Sequence, residues 1–137
     1  MAWFIAGLLH DLGKLSIPDH ILEKPGALDE QEKLLMKQHT FYTYHLLGKI
    51  DAFHTVKEWA AFHHEKLNGE GYPLGLEAAE ISLGARIMAV SDIYQALSED
   101  RPYRKAMSKD KAFAILDQMV ADNHLAGNVV EKLKEIA

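Results

Sequence analysis

The chain has no cysteine, which removes disulfide staples, thiolate-bound zinc and a thiolate nucleophile together. Any metal must be held by nitrogen and oxygen donors. Proline is scarce, at four residues, and no apolar run approaches the roughly 20 residues of a membrane span. The opening MAWFIAGLLHDLGK carries neither a basic leader nor a small-residue cleavage site, so the chain reads as soluble and cytoplasmic. Basic residues are outnumbered, 15 Lys and Arg against 20 Asp and Glu, for a net charge of -5. That balance argues against a DNA or RNA polymer as partner, because polyanions are held through many cationic contacts to phosphate. A small phosphorylated ligand needs only a few local cations and stays compatible.

Strand-like alternation is missing too. Apolar positions recur at helical spacing almost throughout, which predicts an all-α fold: a single compact helical bundle of about five to seven helices, one domain over residues 1–137. A first helix is expected over residues 2–11, stopping at Gly13, then a loop over 16–25 with one turn beginning at Asp19. Asp29 caps a long helix to Leu47, with Glu32 in capping-box position and Gly48 at its end. A helix over 55–64 follows. The segment 81–99 is apolar on nearly every side and should be the central helix, surrounded by protein. Ser108 caps a helix to Asp122, and Asn128 starts the last one.

Histidine is what the chain has in quantity, eight residues in all. HDLGK, His10 to Lys14, ends an almost wholly apolar helix, so His10 and Asp11 are expected at the edge of the core. A buried carboxylate beside an imidazole suggests a shared metal, and a helix end with solvated polar groups is the plainer alternative. His63 and His64 close another helix ahead of a loop with Gly69 and Gly71. Neighbours on a regular helix point about 100° apart, but where the helix unwinds both rings can turn toward one centre. Otherwise one ring packs inside and the other faces water. Asp92 has the most apolar neighbourhood of any carboxylate here and needs compensation, from Arg86 or Arg101 or from a metal. His39 lies in the long helix, whereas His20, His45, His54 and His124 lack partners at informative spacing and read as surface or structural.

Together these groups can supply a nitrogen and oxygen metal centre in which Asp11 bridges two ions. Two adjacent metals would activate a bridging water and stabilise charge on a phosphoryl group, which suits phosphoester hydrolysis. RPYRK, Arg101 to Lys105, stands out in an acidic chain. Its arginines suit phosphate contacts and Lys14 can neutralise charge from the other side, although a solvated cap on the preceding helix is an equal reading. Tyr72 and Tyr103 offer rings for stacking on a base, or anchor their own loops.

HDLGK, then HHEKLNGEGYP, then a helical Asp followed by ALSEDRPYR, with KPGAL and His39 between the first two, resembles the HD-GYP domain, a branch of the HD metal-dependent phosphohydrolases. The likeness runs from about Ile5 to the C-terminus. It implies an HD-like helical fold with two divalent metal ions or three, usually iron or manganese, with zinc and nickel also admitted by such donors. It also implies hydrolysis of cyclic di-GMP to linear pGpG or GMP through a metal-bridging hydroxide. By resemblance His10, Asp11, His39, His63, His64 and Asp92 are metal ligands, Lys14 assists the leaving 3′-oxygen, and Tyr72, Arg101 and Arg104 meet substrate. A regulatory or GGDEF-type domain is the implied signalling partner. Rival readings are an HD hydrolase for another nucleotide and a binding module that keeps the fold without turnover.

The sequence departs from the family pattern in places. Asn68 stands where Asp is usual, Glu70 where a small residue is usual, and Thr43 where the family has a glycine, read as a packing variation. The family's usual upstream helix, with its histidine ligand, does not precede His10. The expectation is a domain incomplete at its N-terminus, one ligand short, with apolar surface favouring a homodimer.

Overall fold

Helix boundaries in the computed structural model follow local capping chemistry. The structure describes residues 1–101 and 104–137. Seven α-helices occur among these residues: α1 Ala2–Leu9, α2 Asp19–Leu22, α3 Glu30–Leu47, α4 His54–Ala61, α5 Leu83–Ser98, α6 Lys109–Ala121 and α7 Gly127–Ile136. Two 3₁₀ helices, Leu12–Ser16 and Asp51–Phe53, join them, and no strand occurs among the described residues. Asp29 and Glu32 form the full capping box at the start of α3, each side chain accepting from the other's backbone N–H. The hydroxyls of Ser82 and Ser108 accept from the third residue of α5 and α6 in the same way.

Two helices end two or three residues earlier than expected. α1 ends at Leu9 and α4 at Ala61, so His10, Asp11, His63 and His64 all lie just beyond regular helix. The chain turns there, and side chains adjacent in sequence are freed from the 100° spacing of a helix.

α5 runs through the middle and shares its faces among three apolar clusters. Met88 joins Ala6, Leu47, Val56 and Ala60 from α1, α3 and α4. Ala85 joins Ala61, Phe62 and Ile81. Ala89 and Val90 join Phe113, Leu116, Leu125 and Val130 of the C-terminal part. The central helix is less enclosed than its composition predicts, because Leu83, Ser91 and Gln95 are exposed. Trp3 of α1 stacks on Trp59 of α4 at 4.0 Å between ring centroids. The outer side of α1 is left bare, with Phe4 and Leu8 each 67% exposed.

The loop between α4 and α5 is anchored by a buried carboxylate. Glu65 is 4% exposed and accepts from the backbone N–H groups of Leu74 and Leu76, at 2.7 and 2.9 Å. Gly71 lies so close to Glu65 and Lys66 that a Cβ would fall within 2.5 Å of their backbone atoms. Sequence reading of this loop found the glycine but missed Glu65, whose signal was a carboxylate beside the histidine pair.

Candidate metal centre

The 3₁₀ helix Leu12–Ser16 lies against α3, and a glycine makes that approach feasible. A Cβ on Gly13 would sit 1.8 Å from the His39 carbonyl oxygen. Thr43, fully buried, accepts from the Gly13 N–H at 2.9 Å and its hydroxyl donates to the His10 carbonyl at 3.2 Å. The residue read from sequence as a packing variation is thus the bolt that holds the His10–Asp11 turn beside His39.

The structure brings all six expected ligand residues to one place. Side-chain donor atoms of His39, His63 and His64 lie within 4.8 Å of one another, and so do those of His10, Asp11 and His63. Ligands about 2.1 Å from a shared ion stand roughly 3 to 4 Å apart, so only a small contraction is needed. Asp92 reaches the group from α5, with Oδ1 3.5 Å from His10 Nε2. Of the two arginines weighed as its partner, Arg86 is engaged elsewhere, donating to the carbonyls of Ile81 and Ala78. Arg101 is exposed.

Three of the four imidazoles are oriented by one device. Nδ1 of His10, His39 and His63 donates to the carbonyl three residues earlier, at Gly7, Met36 and Ala60, over 2.6 to 2.7 Å. A carbonyl only accepts, so Nδ1 carries the proton and Nε2 turns a lone pair toward the centre. His39 Nε2 and His63 Nε2 are buried without any hydrogen-bond partner. His39 Nε2 instead faces Asp11 Oδ1 at 3.3 Å, and His10 Nε2 faces Asp11 Oδ2 and Asp92 Oδ1 at 3.5 Å each. Lone pairs of acceptors confront one another across the site. That arrangement is unfavourable until a cation stands between them, and the residues therefore fit a divalent metal.

The electrostatics agree. Burial and the neighbouring His64 push His63 down to about 3, and burial brings His64 down to about 4, so both stay neutral and able to ligate at neutral pH. Burial raises the Asp11 carboxyl, but the Lys14 ammonium that donates to it, together with the His39 imidazole whenever its Nε2 takes up a proton, outweighs burial and holds Asp11 well below the usual carboxylate range. The Asp92 carboxylate beside Nε2 raises His10, so that without a metal this nitrogen takes up a proton more readily than a free imidazole, in the place a bound cation would fill.

The expected substrate residues divide. Lys14 lies at the rim with Nζ 2.6 Å from Asp11 Oδ2. Tyr72 stacks on His64 at 4.9 Å, and burial pushes its phenol up to about 12. Arg104 does something else here: its guanidinium donates to the carbonyls of Ala96, Leu97 and Lys105, closing the C-terminal end of α5. An arginine just past a helix end is a signal for that use. Tyr103 lies outside the described residues. His124, read as structural, pairs with Glu70 at 3.6 Å.

An all-helical chain with a His-Asp pair at its centre is the architecture of one large class of phosphohydrolases, and comparison agrees. The model of the HD domain family matches residues 1–129, and the chain belongs to that family. It is 50% identical over 113 residues to 3′3′-cGAMP-specific phosphodiesterase 3 of Vibrio cholerae, covering 82% of this chain and 25% of that protein. The cyclic di-GMP phosphodiesterase response regulator RpfG of Xanthomonas campestris is 46% identical over 114 residues, 82% of this chain and 30% of the relative. A cyclic di-GMP phosphodiesterase of Thermotoga maritima is 39% identical over 116 residues, 83% and 32% of the two lengths. The chain spans about a quarter to a third of the length of these relatives. No helix among the described residues is long and apolar enough to cross a membrane.

Proposed function

We propose that residues 1–137 form an HD-GYP-type domain that hydrolyses a cyclic dinucleotide, cyclic di-GMP in the first instance, to the linear dinucleotide or to GMP. The observation that carries the reading is the pair of buried, partnerless Nε2 atoms on His39 and His63, the first 3.3 Å from an Asp11 carboxylate oxygen and the second within 4.8 Å of the donor atoms of two clusters of metal-ligating side chains. His39, His63, His64 and Asp11 would hold one divalent ion, and His10, Asp11 and Asp92 a second, with iron or manganese the expected metals and a third ion compatible with so many donors. Such ions lower the pKa of coordinated water and neutralise charge building on phosphorus.

The remaining work falls to the chain. Asp11, held ionised with the Lys14 ammonium donating to it, would serve as a ligand to both ions. Lys14, 43% exposed, supplies a proton to the leaving 3′-oxygen from the rim. Tyr72 braces His64, and exposed Arg101 would meet phosphate. For Arg104 the same role requires release from the carbonyls it now caps. Relatives named for 3′3′-cGAMP favour that nucleotide as a second substrate. A cytosolic location suits such a messenger, and the bare outer side of α1 supports self-association.

The test combines elemental analysis with hydrolysis of cyclic di-GMP, 3′3′-cGAMP and pGpG, on the parent and on a His63→Ala, His64→Ala double variant. The parent is expected to carry metal and cleave a cyclic dinucleotide, and the variant to do neither. Equal metal content in both would refute the ligand assignment. Metal without turnover of any of the three would leave a binding module.

A further inference from the structure

An open cleft of about 370 Å³ adjoins the metal centre on the α3 side, lined by Leu34, Lys37, Gln38, Phe41, Tyr42, Tyr72 and Pro73. Tyr72 is the shared wall, since its ring stacks on His64. The volume lies near the lower end of small-molecule sites, roughly 300–1,000 Å³, so it suits one base with its ribose and not a whole cyclic dinucleotide. We infer that this cleft seats one purine of the substrate while the scissile phosphate lies at the metal centre, an inference that rests on the cyclic-dinucleotide reading for its ligand.

Three features of the wall carry it. Phe41 is 46% exposed; His45 packs against its ring at 4.2 Å between centroids, and the ring also lines the cleft, beside exposed Leu34 of the same helix. It offers a stacking face, as any base has a complementary π-face. Gln38 is the edge reader. The Tyr42 hydroxyl donates to its Oε1 at 3.4 Å, which leaves the amide hydrogens and a second lone pair free, and a carboxamide matches one donor and one acceptor on a purine edge. Lys37 supplies charge: its Nζ lies 5.3 Å from the Tyr72 ring centroid, beside the wall that a sugar–phosphate linkage must pass between cleft and centre. No carboxylate lines the cleft among the described residues. Gln38 is therefore indifferent between adenine and guanine, whereas a glutamate there would accept from guanine N1–H and N2–H₂ together and find only the N6 donor on adenine.

The experiment uses metal-loaded full chain and hydrolysis-resistant phosphorothioate analogues of cyclic di-GMP and cyclic di-AMP, with thermal melts to verify folding. Phe41→Trp places a fluorophore in the cleft, away from the Trp3–Trp59 stack. Saturable quenching by the analogues but not by ribose 5-phosphate is expected. Gln38→Ala and Phe41→Ala should each weaken binding roughly tenfold. Gln38→Glu should shift the guanine-to-adenine affinity ratio by roughly tenfold toward guanine. Unchanged affinities and ratio, with no quenching, would overturn the inference even if the parent cleaves cyclic di-GMP. Quenching and the ratio shift without turnover would keep the cleft and sink the phosphodiesterase reading; absence of binding and turnover alike would sink both.

Discussion

The stretch from α1 to α5 and the stretch from α5 to the C-terminus bury different chemistry against the same central helix. The C-terminal part closes on Ala89, Val90, Phe113, Leu116, Leu125 and Val130, an apolar cluster with no polar side chain in it. The N-terminal part contains every buried polar residue found among the described residues: His39, Thr40, Thr43, His63 and Glu65. One region is ordinary core, which stabilises by removing hydrocarbon from water. The other holds acceptor lone pairs against one another, an arrangement that destabilises the metal-free fold and makes sense once a cation is bound. Chemistry is thus confined to one side of α5, whereas apolar core lies on both.

Substitutions can break that division. The largest effect is expected from His39→Ala, which removes a central ligand from a buried site: metal affinity should fall by at least roughly a hundredfold, read by competition with a chelator, while cooperative melting persists. Next comes Leu116→Ala in the apolar cluster, where loss of a fully buried side chain should cost about 2–5 kcal/mol in denaturant unfolding with metal content per folded molecule unchanged. If Leu116→Ala depletes metal as His39→Ala does, the two regions are not separable.

A pH titration sharpens the contrast. His63 and His64 stay neutral in the fold, at about 3 and about 4, but take up protons in the unfolded chain around 6.5. The unfolded state therefore binds more protons below 6.5, and the metal-free protein should lose stability as pH falls through that value, by roughly 2 kcal/mol per imidazole near pH ~5. His10, raised by Asp92, works the opposite way and trims the loss. Thermal melts of metal-free protein between neutral and mildly acid pH check this, and a flat profile would mean that the two rings are not held neutral. The smallest effect is expected for Thr43→Val, which keeps the volume and removes both hydrogen bonds of the bolt. It should destabilise by about 1–3 kcal/mol and weaken metal binding as well, since the same hydroxyl holds the His10–Asp11 turn.

Legibility followed the range of the forces involved. Asp29 with Glu32, Ser82 and Ser108 are local caps, and the sequence announced α3 and α6 to within a residue at their starts. Helix ends at Leu9 and Ala61 were placed two or three residues late, because no glycine or proline marks them and the unwinding depends on what the histidines meet. The six metal-centre residues were named from motif order, whereas Thr43 was read only as a packing variation and Glu65 was missed. Their partners lie far along the chain or are backbone groups: Gly13 is 30 residues from Thr43, and Leu76 is 11 from Glu65. The Arg104 guanidinium was assigned to substrate and the structure shows it closing α5, a choice between phosphate and carbonyl that composition does not make.

What the amino-acid order determined alone is the helical character of the chain, its nitrogen and oxygen donor chemistry and the absence of thiol chemistry, because period, caps and residue inventory are properties of neighbours. Tertiary structure decided that imidazoles from α3 and the turns after α1 and α4 meet carboxylates from the turn before the first 3₁₀ helix and from α5. That meeting is set by packing around Gly13 and Thr43, where the backbone of one segment touches that of another and leaves no room for a side chain.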